Sequence, residues 1–179
     1  PSPADPDVVW AGCYDGILER FDRRTGHARD VSVWPLAVES WPAAELDYRF
    51  HWTFPIAISP HDPKTVYHAA NVLFKTTNGG QSWQAISPDL TRNDTSKQKW
   101  AGGPITGDNT GVEFYNTIFA VAESPLEAGV IWTGSDDGLV HVTRDGGETW
   151  RELTEGLPTE FMHVPCGEHD AAFGFRRPA

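Results

Sequence analysis

The sequence predicts an all-β chain, a series of about three antiparallel meanders of up to four strands each. Three observations predict it. First, one phrase occurs twice: Thr76-Thr77-Asn78-Gly79-Gly80-Gln81-Ser82-Trp83 and Thr143-Arg144-Asp145-Gly146-Gly147-Glu148-Thr149-Trp150 both read Thr-x-Asn/Asp-Gly-Gly-x-Ser/Thr-Trp. Second, an upstream phrase of Ser-Pro, an acid, β-branched residues and an aromatic occurs three times, at Ser2 to Trp10, Ser59 to Tyr67 and Ser124 to Trp132. Third, short apolar or alternating runs bounded by Gly, Pro and Asp lie between these phrases, as strands separated by turns should. A long repeat period decides architecture before any single residue does.

Within one repeat the elements follow in order. The apolar runs Phe54-Pro55-Ile56-Ala57-Ile58 and Ile118-Phe119-Ala120-Val121-Ala122 suit a first strand buried on both faces. Ser-Pro with its nearby acid makes a tight turn, because proline fixes φ and a carboxylate bonds local amides. A second strand follows, Thr65 to Ala70 or Val130 to Gly134. Asp136-Asp137-Gly138 is a hairpin signal, since Gly accepts the positive φ that short hairpins need. The third strand, Leu139 to Thr143, alternates apolar and polar. In the doubled phrase, Thr76, Asn78 and Gly80, or Thr143, Asp145 and Gly147, build a turn held by side-chain bonds to turn amides. Trp83 and Trp150 then pack across the hairpin, each burying on the order of 150–250 Å². An acid beside hydroxyls looks catalytic, but the local turn chemistry accounts for every repeated position.

Radially repeated four-stranded sheets are the blades of a β-propeller, which closes with about four to eight of them. The expected organisation is a partial blade at 1–35, a loop at 36–53, a blade at 54–88, a loop at 89–115, a blade at 116–158 and an irregular tail at 159–179. The first repeat lacks its innermost strand and replaces the doubled phrase with a plain turn, Asp22-Arg23-Arg24-Thr25-Gly26, leaving Trp34 as a candidate anchor. The chain therefore reads as a piece of a larger propeller whose remaining blades are its first partners. Alone, it should be marginal or associate, because open repeat arrays leave apolar end faces uncovered.

The doubled phrase resembles the Asp-box of BNR-repeat proteins, Ser/Thr-x-Asp-x-Gly-x-x-Trp, with Asn78 in place of Asp in one copy. Sialidases, xyloglucan-type glycoside hydrolases, photosystem assembly factors and the ten-bladed sortilin (VPS10) receptors carry it. The wider wording, Ser59 to Asp94, Gly102 to Thr110 and Trp132 to Trp150, is most similar to bacterial sortilin-N-terminal-like proteins, which often carry the label BNR-repeat glycosyl hydrolase. The resemblance covers roughly residues 1–160. It implies the propeller fold and an extracellular or periplasmic address. It leaves activity open, because the box occurs on many unrelated functions.

Function is expected on the face bearing the two long links, which far exceed the two to six residues of usual connections. The links hold aromatic and acidic residues suited to a glycan or an extended peptide. Arg49, Trp52, Arg92, Trp100, Asn109 and Glu113 are the candidate ligand-binding residues. The same loops would equally serve to clamp neighbouring blades, with Trp52 and Tyr115 buried. A binding module is the leading expectation. The alternative is a glycoside hydrolase, whose two carboxylates across one bond would be Asp47 and Asp108 or would lie in other blades. A sialidase fares worse: Arg49 and Arg92 are the only arginines of these loops, and the sugar-carboxylate triad needs three.

Composition narrows the classes. A net charge of −11 over 179 residues argues against a nucleic-acid partner, and no stretch approaches the length of a membrane span. The chain begins at Pro1 without an apolar leader, so any signal peptide is expected outside it. No phosphate-cradling Gly-rich loop opens a helix, and no cofactor is expected. No metal is expected either: His163-x-x-Cys166-x-x-His169 offers three ligand types in the least patterned stretch, and Asp136-Asp137-Gly138 lacks the spaced oxygens of a calcium loop.

Overall fold

The computed structural model describes residues 1–38, 41–100, 102, 105 and 114–155. The protein is all-β, and its three antiparallel sheets follow one another along the chain as blades of a β-propeller segment. Blade one holds β1 (Val8–Gly12), β2 (Leu18–Asp22) and β3 (His27–Asp30). Blade two holds β4 (Ile56–Ile58), β5 (Val66–Ala69), β6 (Leu73–Thr76) and β7 (Gln84–Ala85). Blade three holds β8 (Ile118–Glu123), β9 (Ile131–Ser135), β10 (Val140–Thr143) and β11 (Arg151–Glu152). Each is a plain meander in which sequence neighbours pair. The only helical pieces among the described residues are 3-10 turns at Tyr14–Gly16, Ala43–Glu45 and Thr95–Lys97.

The three blades share backbone chemistry that their sequences only partly share. Ser2, Ser59 and Ser124 each donate their amide six residues onward, to the carbonyls of Val8, Thr65 and Val130, which closes the Ser-Pro turn. The amides of Leu18, Leu73 and Val140 each donate to a hydroxyl fourteen residues on, Ser32, Ser87 and Thr154. The carbonyls of the same three residues accept from Val31, Ile86 and Leu153. Blade one is therefore the same unit as the others, although it lacks the doubled phrase.

In both copies of that phrase the threonine hydroxyl donates to the Asn78 or Asp145 side chain, at 2.9 and 2.7 Å, and accepts from the amide of Gly80 or Gly147, at 3.1 and 3.0 Å. The same Asn or Asp oxygen accepts the amide of Ser82 or Thr149. The tryptophans differ from expectation. Rather than packing only across their own hairpin, they reach back one blade: Trp83 Nε1 donates to the Val31 carbonyl at 2.7 Å and Trp150 Nε1 to the Ile86 carbonyl at 2.8 Å. A buried indole needs a partner for its N–H, and the end of the neighbour's outer hairpin supplies one. Trp34 has a different place, edge-on to Tyr48 at 5.6 Å under the long loops.

Cores lie between blades. Tyr67, Leu73, Ile86, Ile118 and Ile131, with Trp150 against them, join blades two and three. Phe50, Phe54 and Phe74, with Trp83 and Val33 against them, join one and two. Val38, Leu46 and Phe114 form a third cluster beneath the loops. The first strands are less covered than expected: every residue of β4 is only half-buried, and so is most of β8. They form the outer members of their sheets in strand order, so one flank of each has no paired strand among the described residues.

Candidate functional site

The hairpin tips between β1 and β2, between β5 and β6 and between β9 and β10 meet the two long loops. Those tips are Tyr14–Gly16, Ala70 to Val72 and Asp136 to Gly138. At blade one, Gly16 takes φ +77°, and its Cα lies so close to Phe50 that an added Cβ would fall 2.4 Å from the ring. The Gly16 carbonyl faces Nε2 of buried His68 at 3.3 Å. Burial in this aromatic pocket holds the His68 pKa down to about 4, so the ring stays neutral at ordinary pH. Seated in this way, the tip carries Tyr14 beside Trp52 of the first long loop. Their rings stack with centroids 6.5 Å apart and planes 17° from parallel. Tyr14 is 48% exposed and Trp52 43%, so about half of each remains open to a ligand. Behind Trp52, His51 stands edge-on to Phe119 of β8 at 5.0 Å, and its Nδ1 lies 2.8 Å from the Thr53 hydroxyl and 3.2 Å from the Thr53 amide. The amide can only donate, so Nδ1 accepts from it, and in the neutral ring the proton sits on Nε2.

At blades two and three the loops are fastened by a polar network. Arg49 is buried. Its amide donates to the Asn71 side chain at 3.0 Å, its Nε to the Asn116 carbonyl at 3.1 Å and its Nη2 to Asp89 at 2.7 Å. Asn71 also donates to Asp89, at 2.8 Å. The second loop is tied to blade three by Arg92, whose amide reaches the Asp137 carboxylate at 2.8 Å and whose Nε reaches the Asp137 carbonyl at 2.9 Å. Buried Asn116 donates to the same carboxylate and accepts from Gln98, and Ser135 donates to it as well. Neighbouring Asp136 accepts the amide and hydroxyl of Thr117 at 3.0 and 2.9 Å. Burial pushes its pKa up to about 6; the Thr117 hydrogen bonds oppose the rise and the Asp137 charge adds to it.

The candidates named from sequence are thus dispersed. Arg49 and Arg92 hold internal acceptors and join the loops to Asn71 and Asp137. Trp52 belongs to the stacked pair. Trp100 is 53% exposed. Asp47 is exposed, with no hydrogen bond or ion pair among the described residues. Asp108, Asn109 and Glu113 lie outside the described residues, so the proposed Asp47–Asp108 pair has no geometry here. His163, Cys166 and His169 also lie outside, and no cluster of metal-binding side chains occurs among the described residues. Sequence reasoning missed Tyr14 and Phe119. The signal for Tyr14 is its position, since Asn71 and Asp137 occupy corresponding tips in the other blades.

No protein-family model and no curated protein matches the chain. Among solved structures it is similar to YCF48 bound to D1 peptide, at 18% identity and a TM-score of 0.47, over 83% of this chain and 37% of that one. It is also similar to the GH74 xyloglucanase from Xanthomonas campestris, at 13% identity and a TM-score of 0.45, over 83% of this chain and 22% of that one. The chain thus spans well under half the length of either. No described helix is long and apolar enough to cross a membrane.

Proposed function

We propose that the chain is a ligand-binding segment of a BNR-type, sortilin-like propeller, taking a glycan or an extended peptide on its long-loop face. The observation that carries this reading is the half-exposed, stacked Tyr14–Trp52 pair. Flat aromatic faces held rigidly by packing make contact area at low entropic cost, and the C–H-rich face of a sugar ring is their natural complement. The polar network beside the platform favours binding over hydrolysis. Its acids Asp89, Asp136 and Asp137 accept amides, hydroxyls or Arg49, and so are held away from work as an acid/base pair. A glycoside hydrolase reading then rests on Asp47, on Asp108 or on further blades. Further blades fit the seam chemistry, because the Leu153 carbonyl group occupies the position from which Val31 and Ile86 receive the next blade's tryptophan.

Calorimetric titration with a panel of neutral oligosaccharides and uncharged peptides tests this. Trp52→Ala and Tyr14→Ala should each weaken binding by about 1–2 kcal/mol, with no release of reducing sugar. Binding untouched by both substitutions, in folded variants, would remove the platform from the site. Sugar release abolished by Asp47→Ala would make the face an active site.

A further inference from the structure

A second cleft lies away from this platform, between blade one and the turns of blade two. Its volume is about 610 Å³, within the range of small-ligand sites. Its wall is a single cross-strand row: Trp10 of β1 faces Arg20 of β2, which faces Arg29 of β3. Three residues opposite one another across a sheet share one face, and here that face looks onto the turn 77–81 and the Pro63–Lys64 turn of blade two. The row is fixed at both ends. Trp10 stands edge-on to Trp83 at 6.3 Å, and Arg29 Nη2 donates to the Gly79 carbonyl at 2.5 Å.

Between them, the side chain of half-buried Arg20 makes no hydrogen bond or ion pair among the described residues. Its Nε lies 3.6 Å from the point where a Cβ on Gly79 would sit, so glycine leaves the guanidinium uncovered there. Exposed Lys64 lines the opposite side. The sole described carboxylate lining the cleft is Asp5, which is already held by Arg24 at 2.8 Å. In a chain with 25 acids and 14 Lys and Arg, three cations converging on one cleft without a free acid is a local reversal of charge. The floor around them is apolar, formed by Val8, Trp10 and Pro63.

We infer that this inter-blade cleft binds an acidic peptide segment, whose carboxylate meets Arg20 and Lys64 while a neighbouring aliphatic side chain lies on Val8 and Trp10. Guanidinium is the group best shaped for paired hydrogen bonds to a carboxylate. An acidic sugar would satisfy the cations but not the floor. Its hydroxyls could reach Thr77 and Gln81 at the rim, but a polar ring would leave the apolar surface of Val8 and Pro63 without a matching partner.

The test is calorimetric titration of the whole 179-residue chain with the pentapeptide acetyl-Leu-Asp-Leu-Glu-Leu-amide, its Asn/Gln counterpart and tri-galacturonate. The acidic peptide should bind at least tenfold more tightly than the neutral one, and it should weaken as salt rises from about 50 to about 300 mM. Arg20→Gln and Lys64→Gln should each weaken it at least fivefold, whereas Arg151→Gln, at an exposed cation of blade three, should leave it unchanged. Should Arg20→Gln unfold the protein by near-ultraviolet circular dichroism, the exposed Lys64→Gln variant decides alone. Equal binding of both peptides, unchanged binding by folded variants, or binding of tri-galacturonate alone would each overturn the proposal.

Discussion

Trp150 Nε1 donates to the carbonyl of Ile86, a residue 64 positions earlier, at 2.8 Å, and Trp83 makes the same bond to Val31 one blade before. Each tryptophan therefore stabilises a seam between blades as well as its own turn. Two substitutions separate the parts. Trp150→Phe keeps most of the ring and leaves Ile86 without its donor, which should cost about 1 kcal/mol. Trp150→Ala also removes the buried ring and should cost about 3–5 kcal/mol. Urea unfolding followed by circular dichroism measures both, and equal losses would mean that the ring contributes nothing to the seam.

The glycines beside the seam are not interchangeable. Gly146 takes φ +74° and a Cβ there meets nothing within 4 Å, so Gly146→Ala should cost only the left-handed backbone penalty, about 1–2 kcal/mol. Gly147 takes φ +107°, and a Cβ there would lie 2.5 Å from the Ile86 carbonyl oxygen, a main-chain atom in the seam. Gly147→Ala should add about 1–3 kcal/mol of overpacking to the backbone penalty. The difference between their urea midpoints checks this. Indistinguishable midpoints would show that the seam opens freely.

Much of this architecture was legible because turn chemistry is local. Ser-Pro with an acid, Asp-Gly hairpins and the doubled phrase write their geometry in consecutive residues, and the strands between them carry the right residue types. The seam was not legible, since nothing in Trp83 or Trp150 names a carbonyl one blade away. The loops were readable as candidates but not as partners. Arg49 and Trp52 are three residues apart and share a composition, yet one is buried on Asp89 and the other lies half-open against Tyr14. Long-range packing separates them.

Arg49 also provides a direct probe of the loop clamp. Its side chain is 5% exposed and its Asp89 partner 26%. Removing one member of a buried pair leaves the other charge uncompensated, so Arg49→Met should destabilise the protein by about 3–5 kcal/mol. Asp89→Asn added to it should restore part of the loss, because the remaining group is neutral. A double-mutant cycle gives the coupling. Additive losses would show that the two residues act separately.

Asp145 and Asn78 hold equivalent places in the two turns, and only one of them titrates. Hydrogen bonds from the Thr149 hydroxyl and amide, then from Thr143, hold the Asp145 carboxyl well below the usual carboxylate range. A depressed folded-state pKa gives stability that is fully present above the unfolded value of 3.8 and lost as pH falls towards the folded one. Asp145→Asn should therefore flatten the acid limb of the stability curve below about pH 4, and Asn78→Asp should steepen it. Thermal midpoints across that range are the measurement. Identical acid limbs for the wild type and Asp145→Asn would mean that the turn does not sense the charge.

Asp136 has the opposite sign. Burial raises its folded-state pKa to about 6 from the ordinary aspartate value of 3.8, so between those two values the folded protein holds a proton that the unfolded chain releases. Stability contributed by this group is present below the unfolded pKa and falls as pH rises through the folded one. At neutral pH the charged carboxylate then costs on the order of 2 kcal/mol. Asn in its place can still accept the Thr117 amide, and the Thr117 hydroxyl, which now donates, can turn to accept from the new amide group. Asp136→Asn should therefore stabilise the protein at pH 7 by roughly 1–2 kcal/mol and lose that advantage near pH 4. Urea unfolding at the two pH values decides it. A variant less stable than wild type at both would show that the Thr117 bonds need the charge, and that they outweigh the burial that raises this pKa.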